Sequence, residues 1–172
     1  MDRAAQAALA EACALWPQNP SILPVASRDL AHPRELMTFS NLPPVLATAL
    51  AERGYEKPTE VQAAVLAPEA AGRDLIVSAQ TGSGKTVAFG LSLAAQLLER
   101  FNTATQLPLV LVIAPTRELA LQVSRELGWL YAGTGARIAT CVGGMDASKE
   151  RRALREGAHI VVGTPGRLRD HL

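Results

Sequence analysis

Cysteine is scarce in this chain, and its two copies are far apart. The 172 residues contain only Cys13 and Cys141, which have neither the close paired spacing of a zinc site nor the density of a disulfide framework. This argues against a small disulfide-stabilised protein and against a cysteine-ligated metal centre. A reducing compartment fits best, and we expect a cytoplasmic protein.

The sequence also lacks an apolar run long enough to cross a membrane. Its longest strongly apolar run, Leu107 to Ala114, contains Pro108, whereas a spanning helix needs about 20 apolar residues. The Ala-rich start, Ala4 to Leu15, is interrupted by Gln6 and Glu11 and carries no basic n-region or cleavage site, which argues against a signal peptide. We expect no membrane partner.

The chain has no excess of positive charge that would indicate a nucleic-acid partner, because its formal net charge is only +1. Residues 1–72 carry five Lys and Arg against eight Asp and Glu, and residues 73–172 carry twelve against eight. The second half is therefore weakly basic, which an ordinary solvated surface also explains. With 48% hydrophobic and 19% charged residues, the composition is that of a folded globular chain with one domain.

The N-terminal part differs from the rest of the chain in its pattern of apolar residues and prolines. Residues 3–16 have helical spacing, whereas residues 18–33 contain three prolines and no steady period, which predicts a linker or a loosely docked arm. We divide the chain into an N-terminal extension, residues 1–36, formed by a short helix and a linker, and a partial domain, residues 37–172. An added extension, a fused piece and an upstream misread start all explain residues 1–36.

Beyond Met37, apolar runs of strand length alternate with longer segments of helical spacing. This alternation predicts an α/β fold with a parallel sheet flanked by helices and about four visible strands, each buried on both faces. The predicted strands are Leu75–Ala79, Leu109–Ala114, Ile138–Val142 and His159–Val162. The predicted helices are Pro44–Arg53, Thr59–Ala70, Lys85–Arg100, Arg117–Tyr131 and Ala147–Arg155, with a further one opening at Pro165.

The strongest motif stands between the first of these strands and the Lys85 helix. It consists of Ala79, Gln80, Thr81, Gly82, Ser83, Gly84, Lys85 and Thr86. Glycines in such a loop let backbone N–H groups converge on an anion, and the helix start adds its positive dipole end. Lys85 is expected to reach phosphate groups, and the Thr86 hydroxyl to complete a Mg²⁺ shell. The strict phosphate-loop pattern has Gly at the first position, where Ala79 stands here.

Upstream of the loop, residues suited to purine recognition precede a short helix. A purine ring needs a stacking surface, which Tyr55 can offer, and an amide such as Gln62 supplies donor and acceptor together. A structural explanation is also available: Thr59 caps a helix, Gln62 is a polar position on its first turn, and Tyr55 is a core residue.

Three further motifs follow the later strands. They are Pro115, Thr116, Arg117 and Glu118 after the second strand, Gly143 and Gly144 after the third, and Thr164, Pro165, Gly166 and Arg167 after the fourth. The carboxyl ends of parallel strands are the edge where open α/β sheets bind ligands. Each motif taken alone is also explained by a helix cap or a turn. We interpret residues 149–156 as a solvated helix face and His159 as a packed residue.

Taken in this order, the motifs resemble those of DEAD-box RNA helicases over residues 39 to 172. The resemblance implies a RecA-like P-loop NTPase domain that uses ATP and Mg²⁺, with Lys85 and Thr86 in catalysis. It implies nucleotide contacts from Phe39, Tyr55, Lys57, Gln62 and residues 79–86, and sequence-tolerant contacts to the RNA backbone from the three later motifs. Glu60 departs from the family pattern, which often has Pro there.

The family's Asp-Glu-Ala-Asp motif does not occur in the printed sequence. From the resemblance we expect a parent ATP-dependent RNA helicase with a second RecA-like domain, and ribosome-assembly or RNA-decay factors as candidate partners. We expect the 172 residues alone to bind nucleotide weakly and RNA feebly, without turnover. Two alternatives stay open: a DNA helicase or translocase of the same superfamily, and a non-enzymatic module that binds a partner protein.

Overall fold

A computed structural model describes residues 22–26, 38–39, 42–100 and 107–171. The predicted helix over residues 3–16, most of the predicted linker and the domain start near Met37 lie outside the described residues. In chain order, the elements are β1 (Ile22–Ala26), α1 (Pro44–Glu52), α2 (Glu60–Leu66), β2 (Asp74–Ser78), α3 (Lys85–Arg100), β3 (Val110–Ile113), α4 (Arg117–Leu130), β4 (Ile138–Cys141), α5 (Ala147–Arg155), β5 (Ile160–Gly163) and α6 (Pro165–Arg169).

All strand pairs in the described residues are parallel, as the alternation of strands and helices predicted. The strands form two sheets, β1 with β2, and β3 with β5 and β4 in the order β3-β5-β4. The sequence predicted irregular chain where β1 lies, and this was wrong for residues 22–26. Pro24 lacks a backbone N–H, which an edge strand tolerates because one side of it makes no ladder.

The three-stranded sheet has helices on both faces. On one face Leu127 of α4 packs in the main core with Ile160 and Val162 of β5. On the other face α5 packs against β4, and Val161 lies in a smaller cluster there. None of the helices in the described part of the chain has the length and apolar character needed to span a bilayer.

The expected burial of every strand on both faces was wrong for β2 and β3, and β4 alternates between half-buried and buried residues. Only β5, the central strand of its sheet, is buried at every position. In β3, Leu111 and Ile113 are 56% and 60% exposed, because α5 packs on the β4 end of that face. In β2, Ile76 is 40% exposed.

The predicted helix boundaries agree with the structure to within one residue, except at one place. The predicted helix Thr59–Ala70 is divided into α2 and a short 3-10 helix, Pro68–Ala70. Ala67 has ψ 142° at the break, the extended conformation that a following proline favours. Two residues after the end of α1, Gly54 has φ +77°, the left-handed conformation that commonly follows a helix.

Helices α3 and α4 pack closely at Gly90. The carbonyl of Gly90 accepts a hydrogen bond of 2.7 Å from the buried Tyr131 hydroxyl. A Cβ at Gly90 would lie 2.5 Å from Leu130 Cδ2 and 3.1 Å from Leu127 Cδ2. The missing side chain therefore lets the two helices approach.

We expect Gly90→Ala to lower the free energy of unfolding by about 1 kcal/mol, because the overpacking at Leu127 and Leu130 outweighs the gain in helix propensity. Gly128→Ala is the matched control, since a Cβ at that helical glycine would meet no neighbouring atom within 4 Å. It should raise the same quantity by roughly 0.5–1 kcal/mol. Urea unfolding measures both, and equal effects would contradict the packing argument.

Candidate functional site

Four loops leave the carboxyl ends of strands and carry the predicted functional residues. The phosphate loop, residues 79–84, follows β2 and leads into α3. The other three loops follow β3, β4 and β5 and, together with the helix starts into which they lead, cover residues 114–117, 142–145 and 164–167. We call these three loops together the loop edge. Since their strands are hydrogen-bonded in one sheet, the loop edge forms one continuous side of the domain.

Two glycines give the phosphate loop its shape. Gly82 has φ +81° and Gly84 has φ +85°, backbone conformations that residues with a Cβ rarely adopt. Helix α3 begins at Lys85, directly after the loop. Its first backbone N–H groups have no intrahelical acceptor, so the loop and the helix start provide donors and a positive dipole for an anion.

Lys85 is held by the loop itself. Its Nζ donates to the carbonyl of Ala79 and, at 2.5 Å, to that of Gln80. The side chain is half-buried, and so is that of Thr86. The ammonium group is thus already positioned within the curve of the loop, where an incoming phosphate can exchange for the carbonyl contacts.

Ser83 supplies independent evidence that the loop fits a polar ligand. Its hydroxyl oxygen is buried and has no hydrogen-bond partner among the residues that the structure describes. An orphaned buried hydroxyl is costly unless a ligand or water satisfies it. The loop therefore offers a ligand one more polar contact besides its backbone N–H groups.

Gln62 joins the first turn of α2 to the phosphate loop. The residue is fully buried. Its Oε1 accepts from Thr59 N at 3.0 Å, and Thr59 Oγ1 accepts from Gln62 N at 3.4 Å, so the two residues form a capping box. Its Nε2 contacts the carbonyl of Gly84 at 3.5 Å. The helix cap predicted by the structural explanation is present, and purine recognition stays a prediction.

The two upstream aromatic residues are both part of the packed domain. Phe39 is 8% exposed and belongs to the main core. Tyr55 is half-buried and stacks on Trp129, with ring centroids 5.9 Å apart. The guanidinium of Arg53 lies 5.0 Å from the centre of the Trp129 ring, and Lys57 is exposed. Stacking of a purine on Tyr55 stays a prediction.

At the loop edge, Arg117 ties the β3 loop to the β4 loop. Thr116 caps α4 by accepting from Leu119 N at 3.3 Å. Arg117 Nη1 donates to the carbonyl of Gly143 at 2.8 Å. Gly144 has φ +78°, and a Cβ there would collide with Arg117 Nη1. Pro115 and Glu118 are exposed.

The β5 loop is tied to the same place from the other side. Thr164 stands at the N-cap position of α6, but its side chain makes no cap hydrogen bond. Pro165 and Gly166 are exposed. Arg167 Nη2 donates to the carbonyl of Met145 at 2.9 Å, and its Nε donates to Glu150 Oε2 at 2.7 Å. Both loop-edge arginines thus hold carbonyl groups of the β4 loop.

Glu150 is the residue that the sequence reasoning missed. Residues 149–156 were expected to form a solvated face, yet Glu150 is only 5% exposed. Burial raises the pKa of Glu150, but hydrogen bonds from His171, Arg167 and the Val142 amide outweigh it and hold the pKa below its usual value. Helical spacing was the available signal, because Glu150 shares a face with Ala147 and Leu154.

His159 is packed, as the sequence predicted. The residue is 5% exposed, and its Nδ1 accepts from Arg137 N at 2.9 Å. Burial and the nearby Arg137 charge lower the pKa of His159. It therefore serves the connection into β5 and lies away from the loops described above.

Sequence comparison identifies the family of the chain. The family model described as DEAD/DEAH box helicase matches residues 59–172. The chain is 42% identical over 149 residues to ATP-dependent rRNA helicase RRP3 of Meyerozyma guilliermondii, covering 86% of the chain and 30% of the relative. It is 41% identical over 149 residues to probable ATP-dependent RNA helicase DDX47 of Homo sapiens, covering 86% and 32%. The chain thus spans about a third of the length of these curated relatives.

Comparison with solved structures agrees. The crystal structure of the RNA helicase Prp28 from Chaetomium thermophilum, bound to ADP, matches with a TM-score of 0.72 and 38% identity over 82% of this chain and 35% of that one. A hypothetical ATP-dependent RNA helicase from Sulfolobus tokodaii matches with a TM-score of 0.62 and 32% identity, covering 73% of this chain and 35% of that one. The α/β fold is therefore RecA-like, as predicted.

Proposed function

Because the chain belongs to the DEAD/DEAH box helicase family, we propose that it is the ATP-binding and RNA-binding part of an ATP-dependent RNA helicase. The relatives bearing that activity in their names are longer than this chain, so the complete reaction belongs to the parent protein. The proposal for this chain concerns two bindings, of an adenine nucleotide and of an RNA backbone.

The observation that carries the nucleotide proposal is the hydrogen-bond inventory of Gln62. A glutamine amide can donate twice and accept twice. Thr59 N uses one acceptor site and the Gly84 carbonyl uses one donor. One donor and one acceptor remain, which is the pair that the N7 and N6 edge of adenine requires and that the guanine edge, with two acceptors, does not match.

The phosphate loop would hold the rest of the nucleotide. Its residues 79–84 and the start of α3 offer backbone donors, Ser83 offers an unsatisfied buried hydroxyl, and Lys85 offers a positioned ammonium. Thr86 would supply the protein hydroxyl for Mg²⁺, which neutralises phosphate charge when it is bound. Phe39, Tyr55 and Lys57 are proposed to line the purine side.

The loop edge would bind single-stranded RNA through its phosphates. The loop edge offers groups of the kind that bind phosphate oxygens and do not distinguish bases. They are the side chains of Arg117 and Arg167, the Thr164 hydroxyl, and the backbone around Gly143 and Gly144. Binding should therefore tolerate many RNA sequences and weaken as salt is added. The logarithm of the binding constant should fall with the logarithm of the salt concentration, with a slope of about −0.7 for each phosphate that the protein neutralises on a single strand.

We expect Gln62→Ala to reduce the preference of the chain for ATP over GTP by roughly fivefold to tenfold, the effect of losing one or two hydrogen bonds. Thr59→Ala is the matched control, because it also breaks the capping box but leaves the amide. It should lower stability and keep the nucleotide preference. Titration calorimetry with both nucleotides measures this, and equal losses for ATP and GTP would reject the adenine assignment.

We expect the 172-residue polypeptide to bind ATP without turning it over. The printed sequence contains no Asp-Glu-Ala-Asp motif, and phosphoryl transfer needs carboxylates that hold Mg²⁺ and orient the attacking water. Phosphate release should stay at the background of the Lys85→Ala variant, with or without RNA. Release that depends on Lys85 would show that the required carboxylates are present.

We expect Gly144→Ala to weaken binding of a fluorescent oligouridine RNA about threefold to tenfold, because the new Cβ displaces Arg117 and the backbone is strained at positive φ. Gly128→Ala is the control, since a Cβ added at that glycine would have no atom within 4 Å and Gly128 lies within α4, outside the loop edge. It should bind as the wild type does. Fluorescence anisotropy measures both, and stronger binding to the matching DNA oligomer would favour a DNA helicase.

A further inference from the structure

Glu150 is buried in a helix whose other charged residues face solvent. Lys149, Arg151, Arg152 and Arg155 are all exposed, whereas the Glu150 side chain is 3% exposed. A buried carboxylate is costly unless other groups pair with it. The contacts that compensate this cost show what the residue holds in place.

The carboxylate of Glu150 joins three separate segments. Its Oε2 accepts from Arg167 Nε at 2.7 Å and from His171 Nε2 at 2.6 Å. Its Oε1 accepts from the backbone N–H of Val142 at 3.3 Å. The side chain thus connects α5 to the start of the β4 loop, to α6 and to the residues after α6.

The guanidinium of Arg167 is consequently held in one orientation by two of its N–H groups. Its Nε is used by Glu150 and one Nη2 proton by the carbonyl of Met145. A guanidinium has five N–H donors in a rigid fork, so three remain for a ligand. Since the same side chain also holds Met145, the orientation of Arg167 and the course of the β4 loop depend on each other.

We propose that Glu150 is a positioning residue for RNA binding, which orients Arg167 and the β4 loop so that the loop edge presents its phosphate-binding groups together. This inference rests on the proposed binding of RNA at the loop edge. Glu150 does not touch the RNA itself. It acts through Arg167 and through the Val142 amide.

A metal site at the same place is the competing explanation, and the geometry disfavours it. Ligand atoms of Cys141, Glu150 and His171 lie within 4.8 Å of one another. However, Arg167 and His171 both contact Glu150 Oε2, and a guanidinium beside the carboxylate repels a cation. Burial and the Glu150 charge raise the pKa of the Cys141 thiol to about 11, so a metal would also have to overcome the cost of deprotonating it.

The test uses the 172-residue chain, a fluorescent oligouridine RNA and ADP. We expect Glu150→Gln to weaken RNA binding roughly fivefold, a coupling typical of residues in direct contact, and to leave ADP affinity unchanged. Glu156→Gln is the matched control, because Glu156 directly follows the same helix and pairs with Arg152 at 2.7 Å but is exposed. It should leave RNA affinity unchanged.

A second variant separates positioning from folding and from charge. Arg167→Lys keeps the charge but cannot hold Glu150 and Met145 as a planar fork does, so it should weaken RNA binding to a similar degree. Glu150→Gln added to Arg167→Lys should then have little further effect. A structural role alone would make the two losses add.

Three outcomes would overturn the inference. They are unchanged RNA affinity in both single variants, additive losses in the double variant, and a loss of ADP affinity that parallels the loss of RNA affinity. Tighter RNA binding on addition of Zn²⁺ to the wild type, abolished in Cys141→Ser, would instead support the metal site. If the wild type does not bind oligouridine at all, the proposed RNA function fails, and this inference fails with it.

Discussion

The parallel register of β3, β5 and β4 is the constraint on which the loop edge depends. The ladder continues past the strand ends, where Ala114 N donates to the Gly163 carbonyl at 2.9 Å and Thr164 N to the Cys141 carbonyl at 3.1 Å. Three loops that are distant in sequence therefore leave the sheet at one level. Side chains of ordinary reach can then join them, as Arg117 does with Gly143 and Arg167 with Met145.

Three cationic residues of the site, Lys85, Arg117 and Arg167, are each held by backbone carbonyls. Lys85 contacts the carbonyls of Ala79 and Gln80, Arg117 that of Gly143, and Arg167 that of Met145. These contacts reduce the rotamer freedom of long side chains before any ligand arrives, so less entropy is lost on binding. In the proposed function, an arriving phosphate would exchange for or add to one of these carbonyl contacts.

The sequence predicted those parts of the site that local chemistry determines. Glycines between a strand and a helix predicted the phosphate loop, and Thr59 and Thr116 at helix starts predicted the observed caps. It did not predict the pairing of β1 with β2 or the burial of Glu150. Both depend on partners far away in the chain, and a carboxylate within a basic helix carries no local sign of the Arg167 and His171 side chains that neutralise it.

Gln62 shows why the nucleotide site cannot be understood as a rigid cavity. Its amide keeps one donor and one acceptor, the pair that the proposed adenine contact would use, yet the residue has no exposed surface. Adenine recognition at this position therefore requires the neighbours of Gln62 to move. The cost of that movement lowers the apparent affinity by the fraction of molecules already open. Since the same amide contacts the Gly84 carbonyl at 3.5 Å, a movement of Gln62 in the proposed function would also alter the contacts of the phosphate loop, so that binding of the purine and binding of the phosphates would be coupled.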